Sequence, residues 1–65
     1  MLVKINGEDR VIRAQTLELL VAEEGFEPTD VATALDGEFV PREERGSALL
    51  RAGARVEILT PMQGG

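Results

Sequence analysis

The sequence has neither cysteine nor histidine. The lack of cysteine excludes a disulfide framework and any thiolate metal site. The lack of both residues also removes the usual zinc ligands and the usual proton shuttle at neutral pH. We therefore predict no metal site, and the absence of disulfides in so small a chain indicates a reducing, cytoplasmic environment.

The chain has only 65 residues, which corresponds to one domain. A domain of this size buries roughly 60% of the surface that its unfolded chain exposes, which leaves one small core and no deep enclosed cavity. An enzyme with its own substrate pocket is disfavoured on these grounds, and no catalytic residue is predicted. Binding to a partner protein is the easier function for such a domain.

The chain has few basic residues, namely Lys4 and six scattered arginines. It has 12 acidic residues, so the net charge is −5. Nucleic-acid binding normally requires a basic face, so it is disfavoured. No run approaches the roughly 18 apolar residues of a membrane-spanning helix, so no membrane partner is predicted. The acidic surface suits a partner with a basic docking face, and solubility alone is the alternative explanation.

The first residues predict a β-hairpin. Leu2 to Asn6 forms a strand with Val3 and Ile5 on one face. Asn6-Gly7 is a strong signal for a two-residue type I′ turn, because both residues tolerate positive φ. Arg10 to Arg13 is the predicted return strand.

A helix is predicted next, from Leu17 to Glu24. Thr16 is a suitable N-cap, and Leu20 and Val21 follow Leu17 on one helical face. Gly25 fits the left-handed residue that ends a helix.

The second half of the chain predicts three short strands. They span Val31 to Leu35, Phe39-Val40 after the Asp36-Gly37 turn, and Val56 to Thr60. The polar segment Arg42 to Arg45 is predicted to be a turn or a short 3₁₀ helix.

The element order is therefore β-β-α-β-β-β, with the first and last strands side by side in the middle of the sheet. This is the α+β class and the ubiquitin-like β-grasp pattern, a mixed sheet of four to five strands packed on one helix. A ferredoxin-like fold requires a second full helix, for which the segment from Glu43 to Leu50 is a poor candidate. We predict a β-grasp domain at residues 1–60 and a flexible tail at 61–65.

The predicted tail is Pro61-Met62-Gln63-Gly64-Gly65. Five extended residues reach at most about 17 Å. Two glycines have no side chains and wide backbone freedom, so the tail can thread a narrow channel and deliver the Gly65 carboxylate to a buried site. At a background of about 7% glycine, two glycines end a chain by chance in roughly 0.5% of sequences.

A carboxylate is a poor acyl donor at neutral pH, and conversion to an acyl-adenylate with ATP supplies a good leaving group. A sulfur nucleophile then displaces AMP and leaves a thiocarboxylate. The chain lacks histidine and cysteine, so every catalytic group for this chemistry is expected on a partner. The carrier supplies the acyl terminus and a docking surface.

The sequence resembles the ThiS family of thiamin-biosynthesis sulfur carriers over nearly its whole length. The matching segments are Ile5-Asn6-Gly7, Thr16 to Leu20, Ala34 to Arg42, Gly53 to Leu59 and Gly64-Gly65. Val40-Pro41-Arg42 is the most specific of them. The related small subunit of molybdopterin synthase also ends in Gly-Gly but lacks this element, and carriers for other thiolation pathways remain alternatives, as does a ubiquitin-like protein modifier.

The resemblance implies three partners. An E1-like, ThiF-like adenylyltransferase adenylates Gly65, a sulfurtransferase system converts it to the thiocarboxylate, and a ThiG-like thiazole synthase receives the sulfur. It implies no cofactor bound by the carrier itself, because the adenylyltransferase uses the ATP. In this family partners dock on the exposed sheet face and hold the tail.

That mode of docking points to Phe39 and Leu59 as partner interface, with Leu2 as a further candidate. The tail comprises Met62, Gln63 and Gly64 before Gly65. An exposed apolar side chain on a strand is often incidental, and this alternative stays open for all three strand positions.

Other charged candidates are weaker. The run from Arg42 to Arg45 fits either a docking site or a solvated turn. Glu23-Glu24 is read as a pair of solvated carboxylates rather than as a catalytic or metal pair. Lys4 is a weak candidate for an isopeptide acceptor.

Overall fold

The computed structural model describes residues 1–61. Within this range, five strands and one α-helix follow one another in the predicted order β-β-α-β-β-β. They are β1 (Leu2–Ile5), β2 (Glu8–Val11), α1 (Leu17–Glu23), β3 (Ala32–Leu35), β4 (Glu38–Val40) and β5 (Arg55–Leu59), with 3₁₀ helices at Pro28–Asp30 and Arg42–Ser47. The 3₁₀ helix predicted after β4 is therefore confirmed.

The strands form one mixed sheet in the order β2-β1-β5-β3-β4. β1 and β5 are parallel neighbours in the middle, and the other pairs are antiparallel. The first and last strands lie together as predicted, and α1 crosses one face of the sheet. This arrangement is the ubiquitin-like β-grasp fold.

Two type I′ turns join the hairpins. Asn6 and Asp36 have φ values of 50° and 52°, and the glycine after each is also in the left-handed region. Because such turns have two residues, they fix the register of β1 with β2 and of β3 with β4. The return strand therefore begins at Glu8, directly after the turn, and not at Arg10 as predicted.

Helix α1 has the predicted caps. The Thr16 hydroxyl accepts a hydrogen bond from the Leu19 N–H at 3.2 Å. At the other end Gly25 has a φ of +86°, and the Phe26 N–H donates to the Val21 carbonyl. This Schellman motif ends the helix at Glu23, one residue before the predicted end.

The core lies between α1 and the sheet. The helix contributes Leu17, Leu20 and Val21, and the inward positions of β1 and β5 contribute Val3, Ile5, Val56 and Ile58. Residues alternate between the two faces of a strand, so the next positions along β1 and β5 face away from the helix. The predicted alternation at Val3 and Ile5 is confirmed.

Strand limits differ slightly from the prediction in the second half. β3 begins at Ala32 rather than Val31, and β5 spans Arg55–Leu59 rather than Val56 to Thr60. Of the predicted tail, only Pro61 is among the described residues, and it is exposed. Within residues 1–61, no helix has the length and apolar character required to cross a membrane.

Candidate docking surface at the end of the last strand

In the described part of the chain, residues 1–61, the face of the sheet opposite α1 is exposed. Strand alternation places Leu2 and Lys4 of β1 on this face, with Arg55, Glu57 and Leu59 of β5. All five are exposed. Their side chains therefore form a pleated surface that is accessible to solvent.

Phe39 and Leu59 lie on this open face with two alanines between them. Phe39 on β4 is paired with Ala34 of β3, and Leu59 on β5 is paired with Ala32. Phe39 is 69% exposed and Leu59 is 59% exposed. The small alanines leave a shallow apolar floor between the two large side chains. We call Ala32, Ala34, Phe39 and Leu59 the apolar patch.

Leu2 is exposed but does not belong to the apolar patch. It pairs with Val11 of β2, toward the edge of the sheet that is opposite β4. Charged residues separate this second apolar corner from the patch, among them Lys4, which forms an ion pair of 2.9 Å with Asp9. The structure thus places Phe39 and Leu59 in the same apolar patch. Leu2 lies on the same face of the sheet but outside this patch.

The apolar patch adjoins the segment that leads to the C-terminus. Leu59 is the last residue of β5, and Thr60 and Pro61 follow it on the surface. The predicted site residues Met62, Gln63, Gly64 and Gly65 lie outside the described residues. Their roles stay predictions.

The charged run after β4 does not form one solvated turn. Arg42, Glu43 and Glu44 are exposed, as predicted. Arg45, in contrast, is only 3% exposed and donates hydrogen bonds to Thr33, Pro28 and Val31. The prediction of a solvated side chain is therefore wrong for Arg45, because its buried guanidinium donates hydrogen bonds to two backbone carbonyls and one hydroxyl group.

The two acidic residues at the end of α1 are not free carboxylates either. The Glu23 carboxylate accepts hydrogen bonds from the Arg13 and Ala14 N–H groups, the latter at 2.7 Å. Glu24 forms an ion pair of 3.0 Å with Arg10. Both residues tie the helix end to the chain that enters it, which is a structural role.

No group of three or more acidic side chains suited to a metal ion occurs among residues 1–61. The concave region on the helix side is lined by Glu18, Pro28, Arg42, Glu43, Arg45 and Gly46. It lies away from the apolar patch and carries charges of both signs. The exposed apolar surface is therefore the better candidate for partner recognition.

The sequence-based prediction of the site included neither the two alanines of the apolar patch nor the burial of Arg45. The alanines had a usable signal, because the two-residue Asp36-Gly37 turn pairs Leu35 with Glu38 and hence Ala34 with Phe39. Arg45 had none, since its acceptors lie 12 to 17 residues away along the chain.

Comparison with known proteins identifies the family of this chain. The family model of the ThiS family matches residues 3–65. The crystal structure of the thiamine biosynthesis protein ThiS from Geobacter metallireducens is 29% identical in sequence, with a TM-score of 0.77 and 100% of both chains covered. An NMR solution structure of a thiamine biosynthesis protein from the same organism is 25% identical, with a TM-score of 0.83, and the match covers 100% of this chain and 88% of that one.

No curated protein gives a significant match. The family match nevertheless spans nearly the whole chain, and both solved structures share its fold. The resemblance noted in the sequence is thereby confirmed, and the chain belongs to the ThiS family.

Proposed function

We propose that this chain is the sulfur carrier of thiamine biosynthesis and serves partner enzymes as a protein cosubstrate. The observation that carries the proposal is the match to the ThiS family over residues 3–65, which includes both the β-grasp domain and Gly64-Gly65. The thiamine biosynthesis proteins of the same fold support the pathway.

The reacting group is the Gly65 carboxylate. A partner adenylates it with ATP, which releases pyrophosphate and leaves an acyl-adenylate. Sulfur at the oxidation level of sulfide (HS⁻) then forms a bond to the carbonyl carbon while the bond to AMP breaks, and loss of the sulfur-bound proton leaves a thiocarboxylate. The carrier itself binds no cofactor in this scheme.

Membership of the family suggests three partners for this chemistry. A ThiF-like adenylyltransferase activates the terminus, a sulfurtransferase supplies the sulfur, and a ThiG-like thiazole synthase consumes it. All three reactions need the same five-residue segment, 61–65, inside an enzyme. The partners therefore act in turn on one tail.

The apolar patch is the proposed docking surface. It combines two large exposed side chains, Phe39 and Leu59, with a flat floor of small ones. Aromatic and aliphatic anchors of this kind dominate the energetics of protein interfaces. Leu59 precedes Gly65 by six residues, so a partner held at the patch must place its reacting atoms within about 21 Å of the Leu59 Cα atom.

The test is an intact-mass measurement after incubation with ATP, the host's adenylyltransferase and a sulfur donor. We expect a mass gain equal to the exchange of one oxygen atom for one sulfur atom. A variant lacking Gly65 is the matched control and gains nothing. An unchanged wild-type mass, with thiamine synthesis unaffected by deletion of Gly65, contradicts the proposal.

Two further readouts separate this function from its alternatives. Transfer of the sulfur to thiazole synthase distinguishes thiamine synthesis from a molybdopterin or other thiolation pathway. Adducts of Gly65 with lysine side chains of other proteins identify a ubiquitin-like modifier instead.

A further inference from the structure

Arg45 is buried although it carries a charge. Its Nε atom donates to the Thr33 hydroxyl at 3.0 Å, its Nη1 atom to the Pro28 carbonyl at 2.9 Å, and its Nη2 atom to the Val31 carbonyl at 2.7 Å. All three acceptors are neutral. No carboxylate in the described part of the chain forms an ion pair with this guanidinium.

A buried ion without a counter-ion contributes little net stability, because its desolvation offsets what its contacts gain. The guanidinium is, however, a rigid planar fork that fixes several acceptors in one geometry. The three bonds of Arg45 span the 3₁₀ helix at Pro28–Asp30 and the start of β3. This arrangement suits Arg45 to hold the 3₁₀ helix and the start of β3 in a fixed relative position.

The network continues from β3 into β4. The Thr33 hydroxyl accepts from Arg45 and donates to the Val40 carbonyl at 2.9 Å. Val40 is the last residue of β4 and follows Phe39 directly. Arg45 thus reaches, through one hydroxyl group, the residue beside the aromatic anchor of the apolar patch.

β4 has few other attachments. It is three residues long and lies at the edge of the sheet, and within residues 1–61 it pairs only with β3. Glu38 and Phe39 are exposed, so only Val40 packs against the core. Short edge segments with few buried contacts open at low free energy, so an extra tertiary attachment at Val40 matters for the position of Phe39.

We propose that Arg45 is a positioning residue for partner docking: it holds β4 through Thr33 so that Phe39 is presented in its bound geometry before the partner arrives. This inference rests on the proposed function, in which Phe39 contacts the adenylyltransferase. Preorganisation of an interface side chain raises affinity by reducing the ordering cost of binding. Arg45 itself does not touch the partner.

The test compares Arg45→Met with Arg13→Met, which makes the same change at an exposed arginine. Adenylation kinetics are measured with the carrier as the varied substrate. For Arg45→Met we expect KM for the carrier to rise roughly two- to tenfold with kcat unchanged. Amide hydrogen exchange at Val40, which forms a hydrogen-bonded pair with Thr33 in the antiparallel ladder, should accelerate. Arg13→Met should leave both readouts at the wild-type value.

A double-mutant cycle with Phe39→Ala separates positioning from general loosening of the fold. The effect of Arg45→Met on KM should disappear once Phe39 is truncated. If Arg45→Met does not fold, Thr33→Val removes only the relaying hydroxyl from the same network and takes its place in the cycle.

The outcomes distinguish this inference from the proposed function. Suppose that Phe39→Ala raises KM for the carrier while folded Arg45→Met or Thr33→Val leaves KM unchanged. This result overturns the positioning role of Arg45 and leaves the proposed function standing. An effect of equal size in the Phe39→Ala background also overturns the positioning role. If Phe39→Ala leaves KM unchanged, or no adenylation occurs with the wild-type chain, the docking surface or the proposed function fails, and the inference fails with it.

Discussion

The side chain of Asn6 continues the central β-ladder onto Ile58. Its Oδ1 atom accepts from the Ile58 N–H at 2.9 Å and its Nδ2 atom donates to the Ile58 carbonyl at 3.0 Å. The Asn6 N–H itself bonds the Val56 carbonyl. The backbone of Asn6 thus begins the turn that leads away from β5, while its side-chain amide pairs with the backbone of β5. Asp36 does the same from the other hairpin, where its Oδ1 atom accepts from the Arg55 N–H.

Removal of the Asn6 amide should destabilise the fold. In Asn6→Gly the turn keeps its left-handed backbone but both hydrogen bonds to Ile58 are lost, and we expect the free energy of unfolding to fall by about 1–3 kcal/mol. In Asn6→Ala a Cβ atom at positive φ adds a further cost of about 1 kcal/mol. Urea denaturation measures both changes.

Gly7→Ala serves as a comparison, because it strains the same turn and leaves the Asn6 amide in place. If Asn6→Gly is as stable as the wild-type chain, the two bonds to Ile58 contribute nothing to stability. Loss of stability in Asn6→Ala alone would then be a backbone effect only.

Glu23 should stabilise the fold through the loop that enters α1. Its carboxylate accepts from two consecutive N–H groups, those of Arg13 and Ala14. We expect Glu23→Ala to lower the free energy of unfolding by about 1 kcal/mol and Glu23→Gln, which keeps one acceptor oxygen, to lower it less. Equal stability of Glu23→Ala and of Glu27→Ala, a change at an exposed glutamate just beyond the helix, contradicts the structural role.

Truncation of the apolar patch should weaken docking without unfolding the carrier. For Phe39→Ala and Leu59→Ala we expect KM for the carrier in adenylation to rise roughly 5- to 30-fold, corresponding to about 1–2 kcal/mol per anchor. The free energy of unfolding should stay within about 0.5 kcal/mol of wild type, because both side chains are exposed. Val11→Ala, on the other apolar corner of the same face, is the control and should change neither quantity. A larger effect from Val11→Ala would move the docking surface to that corner.

Ionic strength should decide whether the acidic surface serves docking or solubility. The Debye length shortens from about 30 Å at 0.01 M salt to about 8 Å at 0.15 M. If the partner presents a basic face, the association rate falls across this range while kcat at saturating carrier stays constant. Glu57→Gln, beside the apolar patch, should flatten the dependence, and Glu27→Gln should not. A rate independent of salt leaves solubility as the role of the net charge of −5.

Local sequence signals were sufficient for the elements and their order. Asn6-Gly7 and Asp36-Gly37 each encode a two-residue turn, and Thr16 and Gly25 encode the two ends of the helix. These signals depend on the conformations that single residues tolerate, so they need no tertiary information. Strands β2 and β4 begin earlier than predicted, at Glu8 and Glu38, because the two-residue turns set where pairing begins.

The candidate site was only partly predictable. Exposure of Phe39 and Leu59 follows from strand alternation, but their common surface with Ala32 and Ala34 depends on which strands are neighbours. Leu2 follows the same alternation and lies at the other corner, because β1 pairs with β2 there. Alternation gives the face of a residue and not its position across the sheet.

By itself the sequence determined the β-grasp order, the caps and turns, the lack of catalytic cysteine or histidine, and a chain ending in Gly64-Gly65. Tertiary structure alone decided the partners of Arg45 and the pairing of Asn6 with Ile58. The first group rests on the intrinsic preferences of individual residues and of their near neighbours. The second rests on contacts between segments far apart in the chain. Asn6 and Ile58, for example, are 52 positions apart and come together only when β1 pairs with β5.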